Sequence, residues 1–285
     1  MASDPRTPRA TTRVLAGTAV EIVEDPPRGS GIRHAVFDLD GTLSLLRDGW
    51  QDQMVPLLVE ALEACPEHEP RAELEALVID FVDHLTGKQT IYQMIRLAEE
   101  VEKRGGRPLD PVDYKQRYNE RLAAAIAARI DGLESRTLRA ETLLVPGSVA
   151  FLQRLVARGV RCYLASGTDD DLVRRDAELL GFAALFEGGI FGALPDYQRF
   201  SKAKVIRGIL SEFELSGPEL LIVGDGYVEI ENAREVGAIA FGVHTRENNR
   251  YHMNAGKRER LLRAGAHLLA ADLRAGDAVI EYLGV

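Results

Sequence analysis

Apolar residues run along this chain in two rhythms, and the change between them divides it. Ala35, Val36 and Phe37 close a continuous apolar run, which predicts a buried strand from His34 to Leu39. From Trp50 to about Arg139 the spacing turns helical. Met54, Leu57, Leu58, Ala61 and Leu62 share one helix face, as do Leu74, Leu77, Val78, Phe81 and Val82. No strand-like run interrupts this stretch, and the charged, alanine-rich segment from Tyr118 to Ile130 has the same character. A helical insertion is therefore expected here.

Beyond it, strands and helices alternate. Pro146-Gly147-Ser148 opens a helix with the apolar face Val149, Leu152, Leu155 and Val156, closed by Gly159. Val160 to Ala165 predicts a short strand, and Ser166-Gly167-Thr168-Asp169 a strand-to-helix turn with capping residues. Ser201 caps a helix bearing Val205, Ile206, Ile209 and Leu210. Leu220 to Val223 predicts another strand, broken at Gly224-Asp225-Gly226, and Ile239 to Val243 and His267 to Ala270 predict two more. Strands separated by helix-length segments imply an α/β fold, a doubly wound, mostly parallel sheet covered on both faces. Residues 1–32 read as an N-terminal arm, in which the alternation Ala19, Glu21, Ile22, Val23 suits an edge strand and Pro26 to Gly31 is a breaker-rich tract.

Composition narrows the function classes. A chain of 285 residues suits one large domain or a domain with an insertion, and no apolar run is long enough to span a bilayer, so no membrane association is expected. The start, Met1 to Arg13, lacks the apolar block of a secretory signal. With Cys65 and Cys162 the only cysteines, both in apolar surroundings, no disulfide framework is expected and a cytoplasmic location is. A formal charge of −9 opposes a nucleic-acid partner. It leaves room for a small anionic substrate, because a divalent cation and a few placed lysines reverse the sign locally. The sequence leaves oligomeric state open.

Candidate chemistry starts at Asp38-Leu39-Asp40-Gly41-Thr42. Side chains two apart on a strand point the same way, so Asp38 and Asp40 can face one small volume. Two like charges that close call for a cation such as Mg2+, and a carboxylate is also a nucleophile toward phosphoryl groups. An acidic-glycine run alone fits a solvated turn equally well. The balance shifts because the polar turns at Asp38 to Thr42, Ser166 to Asp169 and Gly224 to Glu229 all follow strands, and open α/β sheets bind ligands beyond the carboxyl ends of their strands.

In that order and at those places, the motifs resemble the haloacid dehalogenase superfamily of phosphatases, from about His34 onward. The resemblance implies a Rossmann-like core over residues 33–47 and 143–285, with residues 48–142 as a helical cap domain. It also implies that Asp38 is the nucleophile and becomes an aspartyl phosphate, while Asp40 is general acid and base. Lys202 neutralises charge on the aspartate and the transferring group. Ser166, Gly167, Gly41 and Thr42 bind phosphate. Mg2+ is held by Asp38, Asp40 through its carbonyl, and Asp225.

Some assignments stay open at this level. Lys202 and Lys204 are two apart at a helix start, so only one faces the site, and Lys202 is preferred for its place beside Ser201. Glu229 stands where the family more often has Asp, and either binds metal or holds Lys202. In the cap, Arg47, Trp50, Lys88 and Tyr92 are candidate substrate contacts, with Trp50 and Tyr92 fitting a cap core as well. His244, Arg246 and His252 fall in a polar stretch that suits a rim loop or a subunit contact. The expected activity is Mg2+-dependent hydrolysis of a small phosphate monoester, a sugar or polyol phosphate by analogy with the capped subclass. A phosphomutase is the alternative, and a ligand-binding module with dead chemistry the third reading.

Overall fold

A computed structural model describes residues 12–28 and 31–285; the expected arm tip at Met1 to Thr11 and the Gly29-Ser30 pair lie outside the described residues. The chain separates into two compact units, one formed by Met1–Leu46 with Arg139–Val285, the other by Arg47–Leu138.

The second unit is helical: α1 Trp50–Glu63, α2 Arg71–Leu85, α3 Ile91–Lys103 and α4 Pro111–Glu134. Its core is the set the helical spacing marks, with Met54, Leu58, Leu62, Leu74, Val78 and Val82 buried against Met94, Leu97, Tyr118, Leu122 and Ile126. Asp110 starts α4 by accepting a hydrogen bond from the Val112 amide, with Pro111 at the first helical position, where a missing N–H costs nothing. The boundary falls at Leu138 rather than at residue 142. The segment Ala140–Leu143 belongs to the sheet unit because the amides of Leu45 and Val145 bond the carbonyls of Leu143 and Leu43.

Among the described residues the other unit holds one eight-stranded sheet: β1 Arg13–Val14, β2 Glu21–Ile22, β3 His34–Phe37, β4 Arg161–Asp169, β5 Gly189–Ala193, β6 Leu220–Gly224, β7 Ile239–Val243 and β8 Leu268–Ala270. Their order is β1-β2-β8-β7-β6-β3-β4-β5. All pairs are parallel except β1 with β2 and β2 with β8, so the arm contributes two short antiparallel edge strands. Side chains alternate between faces. Val36, Ile222 and Ala240 pack with Ile206, Ile230 and Leu261 on one side, and Phe37 meets Phe151 and Phe186 edge-on elsewhere in the core.

Helices α5 Ser148–Ala157, α6 Asp170–Leu179, α7 Lys202–Glu212, α8 Tyr227–Glu235, α9 Ala255–Ala264 and α10 Gly276–Leu283 complete the unit. Three sequence expectations change. The first strand ends at Phe37, two residues early. Ser166 to Asp169 is not a turn but the end of β4, which continues through a register shift to pair Asp169 with Ala193. Its partner there, β5, has a glycine-rich sequence that gave no strand signal.

Candidate active site

Parallel pairing sets the site. β3 lies between β4 and β6, with Phe37 opposite both Leu164 and Val223, so the residues that follow emerge side by side where the strand order reverses. The Asp38 amide continues this register by donating to the Val223 carbonyl at 3.0 Å.

Asp38 is buried, and the Lys202 ammonium donates to its Oδ1 at 2.6 Å. The same ammonium bonds Glu229 Oε1. Lys202 is the first residue of α7, whose cap is the Ser201 side chain accepting from the Lys204 amide. Of the two candidate lysines, Lys202 is buried and Lys204 is exposed, bonded to the Gln198 carbonyl. A cation in the first turn opposes the helix dipole, so the two carboxylates must outweigh both that and desolvation. They do: burial alone would depress Lys202, yet Asp38 and Glu229 hold it above its ordinary value, and it stays an ammonium. Burial, aided by the charges of Glu229 and Asp225, pushes the Asp38 carboxyl well up against the pull of Lys202.

Glu229 reaches this place because Gly224 leaves room, a Cβ there falling 2.4 Å from Glu229 Cγ. One oxygen of Glu229 bonds Lys202, so the side chain holds the lysine, and Oε2 is buried without a hydrogen-bond partner.

Asp40 is half-buried, and Thr168 Oγ1 donates to its Oδ2 at 2.9 Å. Thr168 owes that position to the prolonged β4. Ser166 is buried on the same strand, its Oγ accepting from the Thr168 amide at 3.1 Å, which leaves its own proton to donate. Gly167 is half-buried beside it, and Thr42 Oγ1 is buried without a partner. Gly41 has φ +76, a left-handed conformation, and a Cβ on it would lie 2.1 Å from Asp225 Oδ2. That approach joins the start of the chain's chemistry to a residue far along it.

Sequence reasoning missed Lys257. Its ammonium donates to Asp225 Oδ2 at 2.5 Å and also bonds Glu247. A signal was present: a capping side chain followed within the first turn by lysine, as at Ser201 and Lys202, recurs at Asn254 and Lys257. Of the polar stretch after β7, His244 is buried, while Arg246 and His252 are exposed.

Among the described residues no group of three or more His, Cys, Asp or Glu side chains is gathered at one point. Arg47, Trp50, Lys88 and Tyr92 belong to the helical unit. There Arg47 is buried, Trp50 packs on the core, Tyr92 is half-buried and Lys88 is exposed. Among the described residues no helix is long and apolar enough to cross a membrane.

Solved structures with this fold include a β-phosphoglucomutase from Clostridium difficile (TM-score 0.61, 14% identity, 89% of this chain and 97% of that one). A protein described as a predicted phosphoglycolate phosphatase from Haemophilus somnus matches with TM-score 0.56 and 17% identity over 87% of this chain and 97% of that one. CbbY from Rhodobacter sphaeroides, solved with xylulose-1,5-bisphosphate, matches with TM-score 0.54 and 18% identity over 85% and 95%. These show a shared fold. No curated protein matches the sequence. The family model for haloacid dehalogenase-like hydrolases matches residues 32–237, which contain Asp38, Ser166, Lys202 and Asp225, and the chain belongs to that family.

Proposed function

We propose that the chain is a phosphatase that hydrolyses a small phosphate monoester, of a sugar or polyol, through an aspartyl phosphate on Asp38. The observation that carries this reading is the contrast between the two aspartates. Asp38 is buried against an ammonium, and half-buried Asp40 is held by a hydroxyl. One environment suits a nucleophile and the other an acid that trades protons with water.

Asp38 attacks phosphorus, the ester P–O bond breaks, and the Asp40 carboxyl gives its proton to the leaving alkoxide. Thr168 keeps that carboxyl turned toward the reacting oxygen. In the second half the Asp40 carboxylate takes a proton from the attacking water, the acyl phosphate P–O bond breaks, and inorganic phosphate leaves with Asp38 regenerated. Lys202 offsets charge on the transferring group, and Ser166, Gly167, Gly41 and Thr42 supply donors to the phosphoryl oxygens.

The donor set fits Mg2+. Asp38, Asp225 and Glu229 interact around two lysines, so negative charge is in excess, and hard oxygen ligands are what this ion takes. Asp38, Asp225 and the Asp40 carbonyl would hold it. When bound it supplies positive charge against the phosphoryl oxygens. Arg47, Trp50, Lys88 and Tyr92 are the proposed contacts to the non-phosphate part of the substrate.

The test is phosphate release from sugar phosphates, polyol phosphates and nucleotides, with Mg2+ and with EDTA, for wild type and D38N. Loss of release in a folded D38N protein is expected, and retained release would remove Asp38 as nucleophile. An isomeric sugar phosphate in place of phosphate would turn the reading to a mutase, as in the β-phosphoglucomutase of the same fold.

A further inference from the structure

The two buried lysines of the sheet unit are wired alike. Lys202 bridges Asp38 and Glu229, and Lys257 bridges Asp225 and Glu247. The first bridge belongs to the chemistry already described. The second has no assigned purpose.

Its construction is specific. Lys257 sits in the first turn of α9, its backbone amide bonded to Asn254 Oδ1 at 3.0 Å. Its side chain is 9% exposed, and those of Asp225 and Glu247 are 13% and 19% exposed. Glu247 starts the short helical turn Glu247–Asn249 beyond β7, the strand next to the β6 strand that delivers Asp225. A Cβ on Gly41 would meet Asp225 Oδ2 at 2.1 Å and Lys257 Nζ at 3.0 Å, so the ammonium lies against the loop that carries Asp40. A cation is thus already in contact with the carboxylate that the proposed function gives to Mg2+.

We propose that Lys257 is an internal counter-cation that sets the enzyme's affinity for divalent metal: it covers Asp225 in the metal-free protein, and Glu247 draws the ammonium aside when the ion binds. The inference rests on the reading of Asp225 as a metal ligand. Its physical content is simple. An ammonium and a divalent ion on one carboxylate repel each other across a few ångströms in a partly buried place, where screening by water is weak. A second carboxylate lets the ammonium yield without losing its partner. The arrangement keeps Asp225 compensated when metal is scarce, at a cost in affinity.

The test uses the full chain, stripped of metal, with Mn2+ as the probe. Free Mn2+ is followed by electron paramagnetic resonance for wild type, K257M and E247Q, and circular dichroism checks each fold. Methionine keeps the length of the side chain and removes the charge, so K257M binds Mn2+ at least tenfold more tightly. E247Q leaves Asp225 as the only anionic partner of Lys257, so it binds Mn2+ several-fold more weakly. The opposite signs are the discriminating result. A merely supporting role would weaken binding in both variants, and that outcome, or unchanged affinity in both, overturns the inference while leaving the metal reading intact. If K257M does not fold, K257Q takes its place: tighter Mn2+ binding than wild type is expected, and equal or weaker binding overturns the inference. Absence of Mn2+ binding in wild type and both variants overturns the metal reading itself, and this inference with it. A second readout is the melting temperature without metal. K257M melts lower than wild type, and Mn2+ raises it by more than it raises wild type.

Discussion

Replacing Lys202 by Met tests how Asp38, the proposed nucleophile, is held. The side chain is 6% exposed and is the shared partner of two carboxylates, Asp38 and Glu229, which are 7% and 3% exposed. Taking the cation away leaves two desolvated acids facing each other, and breaking a buried pair from one side costs about 3–5 kcal/mol. Glu229→Gln should cost far less, about 1 kcal/mol, because Lys202 keeps Asp38 and one uncompensated charge disappears. In the double variant only Asp38 remains charged, so the loss should fall between the two, and the non-additivity measures the coupling.

The K202M penalty also depends on pH. Burial already pushes Asp38 above its ordinary 3.8, and loss of the ammonium pushes it further. The folded state then holds a proton that the unfolded state has released, so stability is greatest at low pH and falls as pH rises through the folded value. Chemical denaturation in EDTA at pH 5 and pH 8 checks both points. Circular dichroism reports the whole chain, and the fluorescence of Trp50, the sole tryptophan, reports the helical unit, whose transition should move less. A K202M loss under about 1 kcal/mol at pH 8, or one equal to that of E229Q, would refute the argument that one lysine compensates both acids.

Two further outcomes follow from geometry. Gly41→Ala puts a side chain where φ is +76 and where Asp225 Oδ2 stands 2.1 Å away; the backbone term is about 1–2 kcal/mol, and the displaced carboxylate should cut phosphate release well beyond that stability loss. Full activity in a folded G41A protein would separate Asp225 from the site. His244 is buried, and burial depresses its imidazole below 6.5 despite the nearby Glu21, so its stabilising share is present above pH 6.5 and is lost as pH falls through the folded value. Melting temperature against pH should drop on the acid side for wild type and more gently for His244→Gln.

What the sequence disclosed follows from what makes a residue's neighbours predictable. β3, β6 and β7 are buried on both faces, so apart from His34 at the start of β3 their residues are apolar and read as strands at once. Among the described residues β5 pairs with β4 alone, and its sequence Gly189-Ile190-Phe191-Gly192-Ala193 carries two glycines. Gly192 is there because a Cβ would fall 2.3 Å from Asp170 Cα, a contact visible only in three dimensions. The misread end of β4 has the same origin, since Ser166 to Asp169 is a polar stretch kept extended by that partner. Asp38, Asp40 and Lys202 were legible because a strand end and a helix cap fix where they point. Glu229 was legible as a choice between two roles. Lys257 showed only the cap-and-lysine pattern of a helix start, and Glu247 nothing, because their meaning depends on Asp225, separated from Lys257 by 32 residues.

That dependence bears on how an acidic chain can receive a phosphate. With a formal charge of −9, the protein cannot rely on its overall field to attract an anion. The positive charge near Asp38 and Asp225 comes from two buried ammonium groups, and each is shared between an aspartate and a glutamate. Sharing has a consequence that a simple pair lacks. An ammonium bound to one aspartate alone would be drawn off by an incoming phosphoryl group or opposed by an incoming cation, leaving a buried charge uncompensated in either case. The second carboxylate holds the lysine near while its first partner changes state. Under the proposed function Asp38 would then form and lose a covalent bond, and under the further inference Asp225 would exchange an ammonium for a metal ion, without the surrounding structure having to absorb an unpaired charge. Glu229 and Glu247 are therefore the residues whose neutral variants should report this buffering most directly, because they alter the lysines without replacing either aspartate.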